Sequence, residues 1–191
     1  MLAGVDEAGR GCLAGPVVAA AVLWPEGQKL EGLTDSKKLS ESQREYLRAS
    51  LEKLLPAGHW AVGMASPSEI DAVNILQATY LAMHRAIAGL NTAPGHLLID
   101  GNRFKAYPGI SHQCEVKGDA RFQAISAASI FAKTERDRLM LEGHVDFPQY
   151  GWDRNKGYPS VGHRHALEQH GVSPWHRRSF TWKPAQLRLD L

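Results

Sequence analysis

The sequence predicts an α/β fold, a mixed sheet flanked by helices, on three observations. Short Val- and Ala-rich runs of strand length come first and then alternate with longer segments whose apolar residues recur at helical spacing. The 191 residues suffice for one domain with a sizeable core, and 43% hydrophobic with 22% charged residues is ordinary for a globular chain. Gly- and Pro-containing links separate the segments, and neither a repeat nor a low-complexity tract interrupts them.

Taken in order, Leu2–Asp6 and Pro16–Trp24 read as strands, with a Gly-rich link compatible with a hairpin. A polar loop, Asp35-Ser-Lys-Lys-Leu39, precedes Ser40, which with Gln43 three residues on makes a capping box. Tyr46, Leu47, Leu51, Leu54 and Leu55 continue that helix at the right spacing, and Pro56-Ala-Gly58 stops it. His59–Ala65 is a further strand. Ser68 to about Leu90 is helical, with Ile70, Ile75, Leu76, Tyr80, Met83 and Ile87 facing inward. His96–Asp100 is a strand ending in an acid, and Glu115–Lys117 a short one. Asp119 to about Val145 is the strongest helical stretch, its stripe of Phe122, Ile125, Ala128, Phe131 and Ala132 small enough to pack closely on a sheet. Pro148–Ser160 breaks regular structure, and a short helix over Val161–His170 follows.

Composition excludes several function classes. A formal charge of +2 does not by itself announce nucleic-acid binding, but from Trp152 onward seven Arg or Lys face three acids, among four His and several Trp. That stretch is either a phosphate-facing surface or a solvated helical face. Cys12 and Cys114 lie in unrelated settings, which implies neither a disulfide framework nor a thiolate zinc site. No secretory pattern precedes Leu2, and no apolar run approaches the roughly 18 residues of a membrane span, so the expectation is a cytoplasmic protein without a membrane partner.

The chemistry concentrates in the first strand. Asp6 and Glu7 are adjacent carboxylates, costly to hold together near an interior unless a divalent cation lies between them. Gly9-Arg10-Gly11 follows at once, a loop able to bring backbone N–H groups and a guanidinium close to an anion. If the first strand is central and the Asp100 strand is its neighbour, three carboxylates meet at one edge of the sheet, where open α/β sheets bind ligands. Asp119, opening the long helix, either joins them or is a cap. Oxygen-only ligands favour Mg²⁺ or Mn²⁺ over zinc, and two such ions about 4 Å apart suit phosphodiester hydrolysis without a protein nucleophile.

Seven separated motifs occur in order: Val5-Asp-Glu-Ala-Gly-Arg-Gly11, Asp35-Ser-Lys-Lys-Leu39, Ile99-Asp-Gly101, Lys117-Gly-Asp-Ala120, Ala127-Ala-Ser-Ile-Phe-Ala-Lys133, Arg136-Asp137 and Gly157-Tyr-Pro159. Together they resemble the bacterial ribonuclease HII family from Leu2 to about Phe180. The resemblance implies a ribonuclease H-like fold, a mixed five-stranded sheet flanked by helices with a small C-terminal helical region, occupying residues 1–180. It implies an endoribonuclease that hydrolyses RNA in RNA–DNA hybrids and cuts 5′ of ribonucleotides embedded in duplex DNA. The ends left would be 3′-hydroxyl and 5′-phosphate, and the roles ribonucleotide removal and RNA primer processing. Catalysis would use two divalent ions, Mn²⁺ or Mg²⁺, bound with substrate. By resemblance, Asp6, Glu7, Asp100 and Asp119 are the metal-binding catalytic carboxylates. Gly9, Arg10 and Gly11 sense the ribose 2′-hydroxyl, Tyr158 stacks beneath the following deoxyribose, and Lys37 contacts phosphate. Lys133 and Arg136 are placed to approach DNA, whereas Asp137 is expected to pair locally with an arginine, and Cys12 to pack.

Beyond the recognised region lies an expected flexible tail, residues 181–191. Gln186, Leu187, Leu189 and Leu191 resemble the Gln-Leu-x-Leu-x-Leu peptide that grips the bacterial sliding clamp, the alternative being leucines folded back on the body. The expected oligomeric state is a monomer. Three rival readings are weaker. Gly9, Gly11 and Gly15 fail the dinucleotide-binding spacing, with Pro16 starting a strand where a helix is required. His163 and His165 lie two apart on a helix and face different sides, which favours surface or nucleic-acid contact over a metal cluster. A binding module without catalysis would have no reason for four converging acids.

Overall fold

A computed structural model describes residues 1–34 and 36–182. Asp35 of the polar loop, and Gln186, Leu187, Leu189 and Leu191 of the clamp-like peptide, lie outside the described residues. The sheet has five strands: β1 (Leu2–Ala8), β2 (Val17–Trp24), β3 (Trp60–Ala65), β4 (His96–Asp100) and β5 (Ser111–Glu115), in the spatial order β3-β2-β1-β4-β5. β1 is central, antiparallel to β2 and parallel to β4, so the sheet is mixed as expected. The last strand is displaced from the expected Glu115–Lys117. Its residues Ser-His-Gln-Cys-Glu are mostly polar because β5 is an edge strand with little to bury, so apolar patterning could not locate it.

The two faces of the sheet are covered by different helices. Ala3, Val5, Val17, Ala19, Ala21 and Leu23 pack against α2 (Pro67–Ala88), through Ile70, Ala78, Tyr80, Met83 and Ile87. On the other face Ala20 and Val22 meet α1 (Glu41–Leu54) and α3 (Gln123–Asp146). The capping box at Ser40 forms as expected, with Gln43 returning a bond to the Ser40 amide at 2.8 Å. Tyr46, by contrast, is 73% exposed and takes no part in the core. α2 begins at a second capping box, Ser66 with Glu69, and bends at Asn74, whose side chain caps Leu76 and Gln77.

Gly4 fixes how closely α3 approaches. A Cβ there would lie 2.2 Å from the Ala124 carbonyl carbon, so the start of α3 rests directly on the backbone of β1. Beyond α3, Leu13, Ala14, Met140, Tyr150, Trp152, Ala166 and Leu167 form a separate small core with α4 (Trp152–Asn155) and α5 (Val161–His170). This is the expected C-terminal helical region, and it is anchored to the link between β1 and β2. No helix among the described residues is long and apolar enough to cross a membrane.

Candidate active site

Strand alternation decides where the acids point. Val5 and Ile99 are register partners on the α2 face, so Asp6 and Asp100, each one residue further along parallel neighbours, both turn to the α3 face. Glu7 turns the other way. Asp6 is 5% exposed and accepts the Glu7 amide at 2.7 Å and the Ser129 hydroxyl of α3. Burial, reinforced by the charges of Glu7 and Asp100, holds its carboxyl well above the usual carboxylate range. Glu7 is also raised by burial, an effect opposed by Arg10, which bonds it at 3.1 Å.

Asp119 does not open the long helix. It lies buried in a 3-10 turn, Gly118–Ala120, and α3 starts only at Gln123. The turn is held at the sheet edge because the Gly118 amide donates to Asp100 Oδ1 at 2.9 Å and Ser126 Oγ donates to the Asp119 carbonyl. Among the described residues no three His, Cys, Asp or Glu side chains form a ready-made metal cage. Asp6, Glu7 and Asp100 each accept from a donor within the protein. The donor set is nonetheless all carboxylate oxygen, its mutual repulsion is offset chiefly by one half-exposed guanidinium, and that chemistry fits a hard divalent cation.

The predicted substrate residues gather beside the acids. A cleft of ≈ 210 Å³ is lined by Asp6, Glu7, Gly9–Gly11, Lys37, Lys133 and Tyr158, and a second of ≈ 310 Å³ by Glu7, Arg10, Tyr80, Asp100 and Arg103. Glu7 and Arg10 are the partition between them. Lys37 is positioned by its neighbour Ser36, whose hydroxyl is buried against Ser129 Oγ at 2.8 Å, on the same serine that bonds Asp6. Tyr158 is 40% exposed, with Lys133 Nζ 5.6 Å and Arg136 Cζ 5.7 Å from its ring centre, and its hydroxyl is bonded to the Cys12 thiol.

Three residues that sequence reasoning sent to the surface are buried instead. Arg136 is 0% exposed and bonds the carbonyls of Lys156 and Ala14 rather than facing DNA. Arg177 is 2% exposed beneath the glycine loop. His163 is fully buried in a chain of neutral donors and acceptors: the Ser173 amide donates to His176 Nδ1 at 2.9 Å, His176 and Trp152 Nε1 both reach His163 Nε2 at 3.1 Å, and His163 Nδ1 meets the Tyr158 carbonyl at 2.9 Å. His165 is exposed, so the two do face opposite sides. Asp137 pairs at 2.7 Å with Lys133, and only more distantly, at 3.8 Å, with Arg44. The available signal for His163 and Arg177 was the interleaving of Arg and His with Trp175 and Phe180, a pattern of packing as much as of binding.

Comparison with known proteins agrees with this architecture. The family model for Ribonuclease HII matches residues 3–183. The chain is 57% identical to Ribonuclease HII of Parabacteroides distasonis over 98% of this chain and 93% of that protein. It is 53% identical to that of Cytophaga hutchinsonii, over 98% and 92%. Among solved structures, the PCNA:RNase HII complex from Archaeoglobus fulgidus superposes with a TM-score of 0.80 at 28% identity, covering 98% of both chains. Ribonuclease H2 from Pyrococcus horikoshii gives 0.76 at 29%, covering 94% of this chain and 93% of that one. The chain belongs to the ribonuclease HII family, divalent-metal-dependent endoribonucleases that cleave RNA in RNA–DNA hybrids.

Proposed function

We propose that Asp6, Glu7, Asp100 and Asp119 hold two divalent ions, Mg²⁺ or Mn²⁺, and that the enzyme cuts the phosphodiester 5′ to a ribonucleotide, in hybrids and when a single one is embedded in duplex DNA. The observation that carries this is the meeting of Asp6 and Asp100 on one face of adjacent parallel strands, with the Asp119 turn bonded to Asp100 and the glycine loop beside them. Asp6, Asp100 and Asp119 are assigned to one ion, and Asp6 and Glu7 to the other. Bound there, the ions supply activation of the attacking water and charge stabilisation at the departing 3′-oxygen.

The chain's own residues supply selection and placement. Backbone N–H groups of Gly9, Arg10 and Gly11 read the 2′-hydroxyl, which alone separates ribose from deoxyribose. Tyr158 offers an exposed ring as a platform for the next sugar, Lys37 neutralises phosphate from the opposite wall, and Arg10 holds Glu7 in place until substrate enters. Because every contact is to backbone or sugar, recognition is independent of base sequence. The test is a labelled duplex carrying one ribonucleotide, incubated with Mg²⁺, Mn²⁺ or chelator. A single metal-dependent cut on its 5′ side, leaving 3′-hydroxyl and 5′-phosphate ends, is expected. Cutting only in long hybrids removes the junction role of Tyr158.

The protein acts as a monomer in the cytoplasm, on this proposal, with residues 1–180 as the catalytic unit. Residues Gln186, Leu187, Leu189 and Leu191 dock on the sliding clamp as an extended peptide. The Archaeoglobus fulgidus PCNA:RNase HII complex supports a clamp partner. Deleting residues 186–191 is expected to abolish clamp pull-down and spare cleavage of free substrate. Unchanged pull-down removes the idea.

A further inference from the structure

Arg177 is buried at 2% exposure, yet it touches the loop proposed to select substrate. Its Nη2 donates to the Gly9 carbonyl at 2.6 Å and the Pro16 carbonyl at 3.2 Å, Nη1 to the Arg10 carbonyl at 2.9 Å, and Nε to the Gly15 carbonyl at 2.9 Å. One guanidinium therefore closes both ends of the Gly9–Pro16 loop. Backbone bonds seat it: the Arg177 amide donates to the Leu13 carbonyl at 2.9 Å, and the Gly15 amide to the Trp175 carbonyl at 2.8 Å.

The geometry of the peptide unit turns this clasp into a statement about recognition. No peptide bond in the described chain is cis, and in a trans peptide the carbonyl of one residue and the N–H of the next point in opposite directions. With the carbonyls of Gly9 and Arg10 drawn down onto Arg177, the N–H groups of Arg10 and Gly11 are turned up, to the side of the cleft that these residues line. A buried cation beneath the carbonyl ends also polarises both amides, strengthening their donation to an oxygen above. All four acceptors are neutral carbonyls, and burial lowers the Arg177 pKa to about 10, so the charge is held by geometry rather than by a counter-ion.

We infer that Arg177 is the positioning residue for 2′-hydroxyl recognition, holding two successive loop amides aimed at the ribose. It rests on the loop reading proposed above. Lysine keeps the charge but has no planar fork and cannot span four carbonyls around the loop.

The experiment compares native enzyme, Arg177→Lys and Arg177→Ala on duplexes carrying one ribonucleotide, one 2′-O-methyl nucleotide or none. Activities are taken per folded molecule, with folding followed by thermal melting. For Arg177→Lys, kcat on the ribonucleotide duplex is expected to fall at least about tenfold while KM stays within about threefold, because phosphate contacts persist and only ribose placement is lost. Ethylguanidinium added to Arg177→Ala is expected to restore part of the lost turnover. Folded Arg177→Lys with kcat within about twofold of native, or a loss that follows only the folded fraction, overturns the inference. Should neither variant fold, the native protein decides through NMR of ¹⁵N-labelled arginine. Distinct, slowly exchanging guanidinium protons for Arg177 are expected, and freely rotating ones sink the clasp. Native enzyme that fails to discriminate ribose from 2′-O-methyl ribose would refute the loop reading itself, an outcome separate from any change in the variants.

Discussion

Two buried charged clusters flank the same loop, and they are built on opposite principles. On one side Asp6, Glu7 and Asp100 repel one another, and burial with that repulsion raises Asp6 well above the usual carboxylate range. On the other, Arg136 and Arg177 are almost wholly desolvated, yet both Nη atoms of Arg136 and all three guanidinium nitrogens of Arg177 donate to backbone carbonyls, with Arg136 Nε alone left without a partner among the described residues. The acids are left under electrostatic tension that a cation relieves. The arginines are largely satisfied, their charge dispersed over carbonyl oxygens that the fold must hold somewhere in any case. Tension of the first kind is what the proposed metal site would use, whereas near-complete pairing is what a structural clasp needs.

The sharpest test of that contrast is Asp100→Asn. It is expected to lower turnover by at least about 10²–10³-fold, while melting stays level or rises by a few degrees, since repulsion is removed and the amide oxygen still accepts the Gly118 amide. Rate assays beside calorimetry check this. A variant that lost both activity and stability would place Asp100 among the structural groups. The opposite pattern is expected of Arg136→Met. It strips the donors from the Lys156 and Ala14 carbonyls and is expected to cost about 2–4 kcal/mol in denaturant unfolding. A cost under about 1 kcal/mol would erase the distinction drawn here.

How far each cluster was legible follows from the same physics. Acids at the ends of apolar strands announce themselves, because adjacent strands bring their ends to one edge of the sheet, and Asp6, Glu7 and Asp100 meet at that edge because β1 and β4 are neighbours. The Ser40 capping box and the inward face of α2 were legible for similar local reasons. Buried arginines leave no such mark. Whether Arg177 is solvated or enclosed depends on carbonyls some 160 residues distant in sequence, Gly9 among them, and composition can only report a basic, aromatic stretch. The turn at Asp119 was missed because a 3-10 turn feeding a helix has the residues of the helix itself, and Asn74 because its bend hides inside an uninterrupted apolar pattern.

The histidine chain extends the comparison to neutral groups. Burial, then the neighbouring His163, lowers the His176 pKa to about 4 from its ordinary 6.5. The unfolded chain thus takes up a proton below about pH 6.5 that the native protein refuses until about pH 4. Stability is fully present above that window and declines as pH falls through it, by about 3 kcal/mol at most for this residue. In His176→Gln the plot of unfolding free energy against pH is expected to flatten between those limits, leaving the slope due to His163, also lowered by burial. An unchanged slope would assign the acid sensitivity elsewhere. The smallest effect is expected at Tyr158. Removing its hydroxyl in Tyr158→Phe breaks the bond to Cys12 but keeps the ring over Lys133 and Arg136, and cleavage at an embedded ribonucleotide should change by no more than about threefold. Tyr158→Ala should lose about tenfold or more. Equal losses in both would transfer the role from the ring to the hydroxyl.

The seating of the loop has a consequence for the order in which the enzyme comes into being. Synthesis runs from the N-terminus, and all four carboxylates have been made once residue 119 is reached, whereas the guanidinium that shapes the loop arrives only with residue 177. A nascent or prematurely ended chain stopping short of that point carries the acids but lacks the guanidinium that bonds the Gly9 and Arg10 carbonyls. On the proposal above, ribose placement is thus among the last elements of the site to be completed during synthesis.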